Sequence, residues 1–442
     1  MRLELAKGTS THWFELILDN KKFQKLWGQT NVASKQLSKT YRTPAKAKTA
    51  HDAFHAELIA KGYRDPARPG VAPAKDTPRN PALEAAIRAN RDDPGVYQVY
   101  ADWLQQQGNP LGELIVLSQA NKKAAAARII DKLGFPGHEL AKMGWRHGMW
   151  QWLRLENNHD WYDTSFDPAE LARTVFAQPA CAALEELRIG MLRWDHNDTD
   201  VPAVLDEAKK FAWSADLVSL RLGDDVDRNI NMAHHCIGDV AKRISKTFPR
   251  LRRLFLHSGE EHWRQQETFG LRGLALPELR ELTIETCSLS KARLAAVLAA
   301  KLPKLEKLEL WFGSTDYHAD ASIKGLTKLL DGSAFPNLRH LGLCNAELEN
   351  EIAIALTSSK IAGKLESLDL SRGTLTELGA EALIASAKSF PRLKALALDR
   401  NFLSAQTIRA VTAKFPFATA EEQKEPDDSV EGETHYYVSV AE

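Results

Sequence analysis

The sequence predicts an α/β repeat protein: a stack of short parallel strands with outer helices, preceded by a small α+β unit and a helical adaptor. Three observations predict it. The phrase Leu-x-x-Leu-x-(Leu or Ile) recurs through the second half, most clearly at Leu251-Leu254-Leu256, Leu305-Leu308-Leu310, Leu338-Leu341-Leu343, Leu365-Leu368-Leu370 and Leu393-Leu396-Leu398. Leu184-Leu187-Ile189, Leu217-Leu220-Leu222 and Leu279-Leu282-Ile284 bring the copies to eight, and their middle leucines step by 33, 34, 28, 26, 33, 27 and 28 residues. A unit of that size cannot bury its own apolar face, so neighbours must share one core. The residues after each phrase have helical apolar spacing, as in Ser290 to Lys301, where Leu294, Val297 and Leu298 fall on one face.

Within each phrase the last two leucines point inward at period two, and the residues between and after them face out. Four units continue the spacing into the strand exit: Cys287 then Leu289, Ala346 then Leu348, Gly373 then Leu375, Asn401 then Leu403. These features resemble leucine-rich repeats, and a period of 26 to 34 residues with full helices is similar to the ribonuclease-inhibitor-like class. The resemblance implies a horseshoe over residues 145–442, with a parallel sheet inside and helices outside. Leu153 lies 34 residues before Leu187 and is expected on a first, degenerate strand. Tyr436 to Val440, after the acidic loop 419–433, is expected to be a closing cap strand.

Residues 1–64 form their own unit, with strands expected at 2–5, 12–18 and 23–29 and a helix from Ala45 to Lys61. Thr43 is its expected N-cap, Pro44 its first-turn residue, and Ala50, Phe54 and Leu58 its buried face. Trp27-Gly28, the closing Lys61-Gly62-Tyr63 and His12-Trp13-Phe14-Glu15-Leu16 resemble the WGR domain of poly(ADP-ribose) polymerases and bacterial proteins. Gln29 stands where that family has Arg, and Thr30–Ser34 lacks the family's glycines. The resemblance implies a DNA-end contact through Trp27 and Gln29. Lys21, Lys22, Lys25, Lys35 and Lys39 would neutralise phosphates around them, as such binding needs. A protein-docking role for the same unit is the competing expectation.

Residues 65–80, with Pro66, Pro69, Pro73, Pro78 and Gly70, are expected to be a semi-rigid linker. The segment 81–144 is expected to be helical. Tyr100-Ala101-Asp102-Trp103-Leu104 and Gly108-Asn109-Pro110-Leu111-Gly112-Glu113 resemble a small bacterial repeat-companion domain. Asp102 and Glu113 are read there as capping and turn residues.

Formal charge over the 442 residues is zero, which implies no global polyelectrolyte partner, but it is uneven. Residues 1–64 carry 12 basic against 5 acidic side chains, and residues 415–442 carry 1 against 8. Four scattered cysteines suit reduced thiols, and no run approaches a signal peptide or membrane span, so a cytoplasmic location is expected. No nucleophile elbow, phosphate loop, dinucleotide fingerprint or His-Glu-x-x-His occurs, and neither a cofactor nor catalysis is expected. Asp195–Asp206 imitates a calcium loop but has Asp200 where Gly is needed, and reads as a solvated loop. His234, His235 and Cys236, or His257 with Glu261 and His262, lack a convergent set of metal ligands.

Function is therefore expected on the concave face of the sheet, among the side chains that point away from the leucine core, in a non-catalytic scaffold that binds a protein. Its early strands offer Arg188, Arg221, Arg253, Phe255 and His257, and its later ones Glu281, Glu285, Glu309, Trp311, Asp369 and Asp399. The face would run from basic to acidic, with Phe255 and Trp311 as aromatic anchors. The alternative is a DNA-associated regulator acting through residues 1–64.

Overall fold

The structure is a computed structural model that describes residues 2–7, 10–29, 34–61, 63, 79–133, 140–157, 167–193, 197–223, 232, 236–259, 269–427 and 434–440. The chain divides into two compact units, Met1–Asp76 with Gly134–His138, and Thr77–Leu133 with Glu139–Glu442.

The first unit is an antiparallel sheet in the order β1 (Arg2–Lys7), β2 (Ser10–Asp19), β3 (Lys22–Gln29), β4 (Lys35–Thr40), with one helix, Pro44–Ala60. The helix starts where the Thr-Pro pair predicts, and Lys46 N donates to Thr43 Oγ1 at 3.2 Å. Leu3, Leu16, Phe23, Leu58 and Tyr63 form the core, with Ala50 and Phe54 partly buried against it. Strand β4 offers no apolar alternation to read, because every residue in it is exposed.

The second unit opens with helices Pro81–Ala89, Pro94–Gln106, Pro110–Gln119 and Lys123–Leu133. The first three begin with Asn or Asp followed by Pro. The side chains of Asn80, Asp93 and Asn109 accept from Leu83 N, Gly95 N and Leu111 N, and proline occupies a position whose N–H would have no helical partner. Arg79 and Asn80, expected in the linker, belong to this cap: Arg79 Nη2 donates to Glu84 at 2.7 Å. The remainder of the expected linker, 65–78, lies outside the described residues.

Strands follow as β5 (Ala141–Arg146), β6 (Met149–Leu155), β7 (Glu186–Ile189), β8 (Ser219–Leu222), β9 (Gly238–Asp239), β10 (Arg253–His257), β11 (Phe269–Gly270) and β12 (Glu281–Glu285). They continue as β13 (Lys307–Gly313), β14 (His340–Ala346), β15 (Ser367–Asp369), β16 (Ala395–Ala397) and β17 (Ala418–Thr419). Strands β9 and β11 pair with each other; the rest form one eleven-stranded sheet whose spatial order is chain order. From β6 onward every pairing is parallel, and helices or single helical turns connect all successive strands but β10 and β12, between which the described residues contain none, so the fold is mixed α/β with a large parallel sheet. The inward positions stack in register: Leu153, Leu187, Leu220, Leu254, Leu282, Leu308, Leu341, Leu368 and Leu396 form one row, none more than 2% exposed.

Three expectations are corrected. Residues 141–144, expected in the helical segment, belong to strand β5, which pairs antiparallel with β6. Residues 436–440 form no strand; β17 closes the sheet instead, and the chain then turns back, with Val440 meeting Asn345. Tyr436 and Tyr437 pack on Phe402, outside the ladder. Residues Asn197–Ala208 are a helix and not a solvated loop: Asp200 pairs with Arg193, and Asp206 with Arg243. No helix among the described residues is long and apolar enough to cross a membrane.

Gly313 ends β13 at φ +82°, and a Cβ there would lie 1.8 Å from Cys287 O, a backbone atom that cannot step aside. Gly363 has open space around it. Gly313→Ala is expected to lower unfolding free energy by about 3 kcal/mol or more, and Gly363→Ala by about 1 kcal/mol at most, in urea denaturation.

Candidate functional site on the outward face of the sheet

Period-two alternation that buries the leucines turns the residues between them outward, and parallel register lines these up in rows. The central row begins Arg154, Arg188, Arg221 on adjacent strands and continues Phe255, Thr283, Glu309. It ends Gly342, Asp369, Ala397, Thr419. A second row contains Arg253, Glu281, Lys307 and His340, and a third pairs His257 with Glu285 and Trp311 with Cys344. The register thus brings Arg188 and Arg221, and separately Glu309 and Asp369, within one or two strands of each other.

Neighbouring arginines at the strand spacing of about 4.8 Å repel by about 1 kcal/mol in water. Local partners offset this. Arg154 bonds Glu156 and Arg188 bonds Glu186, while Arg188 also lies 4.8 Å from the Trp152 ring and Arg221 3.9 Å from the Phe255 ring. Such stacking contributes about 0.5–2 kcal/mol each. Phe255 acts as a platform for a guanidinium, and Arg253 reaches Glu186 at 4.0 Å.

At the other end the carboxylates are held in place. Glu309 Oε1 accepts from Trp311 Nε1 at 3.0 Å, Asp369 Oδ1 from Ser371 N at 2.9 Å, and Asp399 from Thr419 Oγ1 at 2.7 Å and Glu421 N at 2.6 Å. Glu285 Oε2 lies 2.9 Å from His257 Nδ1. These acids, with Arg372 and Arg400, line a cleft of about 360 Å³. Beside it runs a trough of about 320 Å³ floored by Gly342, Ser367, Ala395 and Ala397, where short side chains leave the backbone uncovered.

Trp311 is not the exposed anchor its position predicts. It is 7% exposed, in a cluster with Met232, Cys287 and Cys344 that Tyr317 and Val440 pack against, and Arg372 lies 5.3 Å from its ring. The cover comes from a residue 129 positions further on (440 − 311), which no local pattern reveals. All four cysteines are buried. Among the described residues no three His, Cys, Asp or Glu side chains converge on a metal position, and Glu261, His262, His234 and His235 lie outside those residues.

In the first unit the expected basic patch is divided. Lys21 and Lys22 are exposed at the β2–β3 turn and Lys35 and Lys39 on the edge strand β4. Lys25 lies 3.1 Å from the Phe54 ring centre, and burial lowers its pKa, so it serves packing. Trp27 stacks on Phe14 at 6.0 Å. Gln29 ends β3, and its side chain lies outside the described residues.

No protein-family model matches the chain, and no curated protein matches it in sequence. A solved protein from Bacteroides fragilis aligns over 100% of this chain and 99% of its own at TM-score 0.52 and 18% identity, a likeness of fold alone. An internalin from Listeria monocytogenes aligns over 57% of this chain and 69% of its own at TM-score 0.25 and 14% identity, too remote to carry an argument.

Sequence reasoning missed a polar group at the strand exits. Glu349 is fully buried; its Oε2 accepts from Ala346 N at 3.2 Å, and its Oε1 has no hydrogen-bond partner among the described residues. It fits because residue 373 is glycine, where a Cβ would lie 1.9 Å from Oε2. Burial holds the carboxyl well above its usual range, Asp369 adds to this, and Lys424 opposes it. Lys424 is itself lowered to about 8 by burial, with Nζ donating to Gly373 O at 3.0 Å. A carboxyl raised in the folded state stabilises fully below its unfolded pKa, and that contribution is lost as pH rises through the folded value. Glu349→Gln keeps the shape without the charge and leaves Lys424 in place. Its urea midpoint is expected to match wild type at about pH 4, below the unfolded carboxyl value, and to exceed it at pH 8; parallel pH curves for the two proteins would refute the assignment.

Proposed function

We propose that the chain is a non-catalytic scaffold, probing no substrate and docking a protein on the outward face of its large sheet. The supporting observation is the central row, in which the ring-stacked Arg188 and Arg221 on adjacent strands give way to positioned carboxylates beside an open cleft. A surface of that kind suits a partner with opposite charges in matching order. Its anchors are held before binding, which lowers the entropy cost of association.

In this reading the strand–helix units are leucine-rich repeats forming a horseshoe, the helices from Pro81 are its N-terminal adaptor, and the first unit is a WGR-like module joined by a Pro-rich tether. Two modules at fixed reach would bind by avidity. The cytoplasm is the compartment that suits four buried thiols. For the DNA reading, the exposed Lys21, Lys22, Lys35 and Lys39 are what remains of the patch once Lys25 and Trp27 are taken up in packing.

Affinity capture from a cell extract, comparing wild type with Arg221→Glu and Phe255→Ala, tests the proposal. A captured protein is expected to be lost with Arg221→Glu and weakened about tenfold with Phe255→Ala, while Arg128→Glu on an adaptor helix leaves capture intact. Capture indifferent to all three would overturn it.

A further inference from the structure

Asn345 lies at the exit of β14 with φ +54°, a left-handed conformation that Asn tolerates better than most residues, and it is fully buried. Its side-chain amide grips one distant residue from both sides. Val440 N donates to Asn345 Oδ1 at 2.9 Å, and Asn345 Nδ2 donates to Val440 O at 2.7 Å. Ser439 N donates to Arg372 O at 2.8 Å, and Val440 packs against the Met232, Cys287, Trp311 and Cys344 cluster. A paired donor and acceptor aimed at the N–H and C=O of one residue reads its backbone without regard to its side chain, while an apolar floor selects what the side chain can be.

The segment that fills this notch contributes little else to the ladder. The sheet already ends at β17, before residues 434–440, and those residues add no strand. Tyr436 and Tyr437 are 46% and 47% exposed. What holds the segment is backbone hydrogen bonds, the aliphatic side chains of Val438 (4% exposed) and Val440, and the rings of Tyr436 and Tyr437 against Phe402; main-chain bonds with aliphatic anchors are also how extended peptides dock to proteins. Trp311 and Arg372 border both the notch and the acid-lined cleft, so a chain seated in one continues towards the other.

We infer that the notch is a docking subsite for an extended segment of a partner protein bearing a small aliphatic side chain, and that residues 435–440 occupy it in cis. The inference rests on the protein-docking reading above and adds a second subsite to it. A tethered occupant competes at an effective concentration of order mM, so a partner gains access only by outbidding it or when the strap is released.

The test uses the full chain. Ser439→Pro removes the N–H that bonds Arg372 O and leaves the notch itself untouched. In that variant Cys344 is expected to react with a maleimide about tenfold faster or more than in wild type, while Cys181, buried among the early repeats, stays protected. Cys181 separates release of the strap from unfolding, which would expose both thiols. A synthetic peptide of residues 434–442 is then expected to bind the variant and restore protection of Cys344. The same peptide with Asp at the position of Val440 is expected to do neither. Asn345→Gly, which suits the left-handed backbone but lacks the amide, should raise Cys344 reactivity without rescue by peptide. Unchanged Cys344 reactivity in Ser439→Pro, or equal binding of the two peptides, would overturn the inference. A concentration-dependent dimer of the variant would assign the notch to a second copy instead. Neither result bears on the Arg221 capture experiment, which reads the opposite end of the sheet.

Discussion

Registered parallel pairing of the aliphatic residues is the constraint on which the rest of this chain depends. Each unit offers two inward side chains, such as Leu308 and Leu310, and they reach full burial only when the flanking strands pair in step. Burying one such side chain contributes about 1.5–3 kcal/mol. A slip of one residue would turn that row to solvent and drive Arg188, Arg221 and Glu309 into the core. The order of charges on the outward face therefore follows from the packing of the inward one. No separate interaction is needed to set it.

The ends of the strands obey a second requirement: every backbone group turning out of the ladder needs a partner. The units meet it with different residues. Asn401 Nδ2 donates to Leu370 O at 2.7 Å and its Oδ1 accepts from Leu375 N at 3.1 Å; Thr374 Oγ1 donates to Glu347 O at 2.7 Å; Glu349 serves Ala346 N. The left-handed corners recur at Asn345, Arg372 and Arg400, each two positions beyond an inward leucine. Geometry is thus repeated where residue type is not. The same variety leaves one corner, Asn345, with an amide directed at a chain segment far away in sequence.

This difference explains what could be read in advance. The eight leucine phrases between 184 and 398 announce their strands because burial fixes both residue type and spacing, whereas β9 and β11, two residues each, carry no such phrase; helices such as Lys291–Leu298 follow their caps, here Ser290. The helical character of the segment from Pro81 is legible too, but its division at the Asn-Pro and Asp-Pro starts emerges only from the structure. Strand β4 is not legible, because an exposed edge strand carries no apolar signal. The burial of Trp311, the turning back of Val440 and the place of Glu349 are tertiary facts, set by residues many tens of positions away. Local spacing turned Trp311 out of the leucine row and said nothing of what covers it; it gave no sign of Glu349 and placed Val440 on a closing strand that does not form. Lys25 is the converse: a charge that reads as solvent-facing lies over the Phe54 ring, with Nζ 3.1 Å from its centre.

Charge on the outward face also bears on how a docked protein would be held. Arg188 and Glu309 sit four strand steps apart, about 19 Å at the usual spacing, and the Debye length at physiological salt is about 8 Å. The two poles therefore act on a partner independently, and neither neutralises the other. Each is also stiffened locally, the arginines by aromatic rings and the carboxylates by donors such as Ser371 N and Trp311 Nε1. Groups fixed in this way lose little freedom on binding and tolerate little misplacement, so they favour a partner whose charges match in spacing as well as sign. A face with the same charges on unsupported side chains would attract more proteins and distinguish fewer.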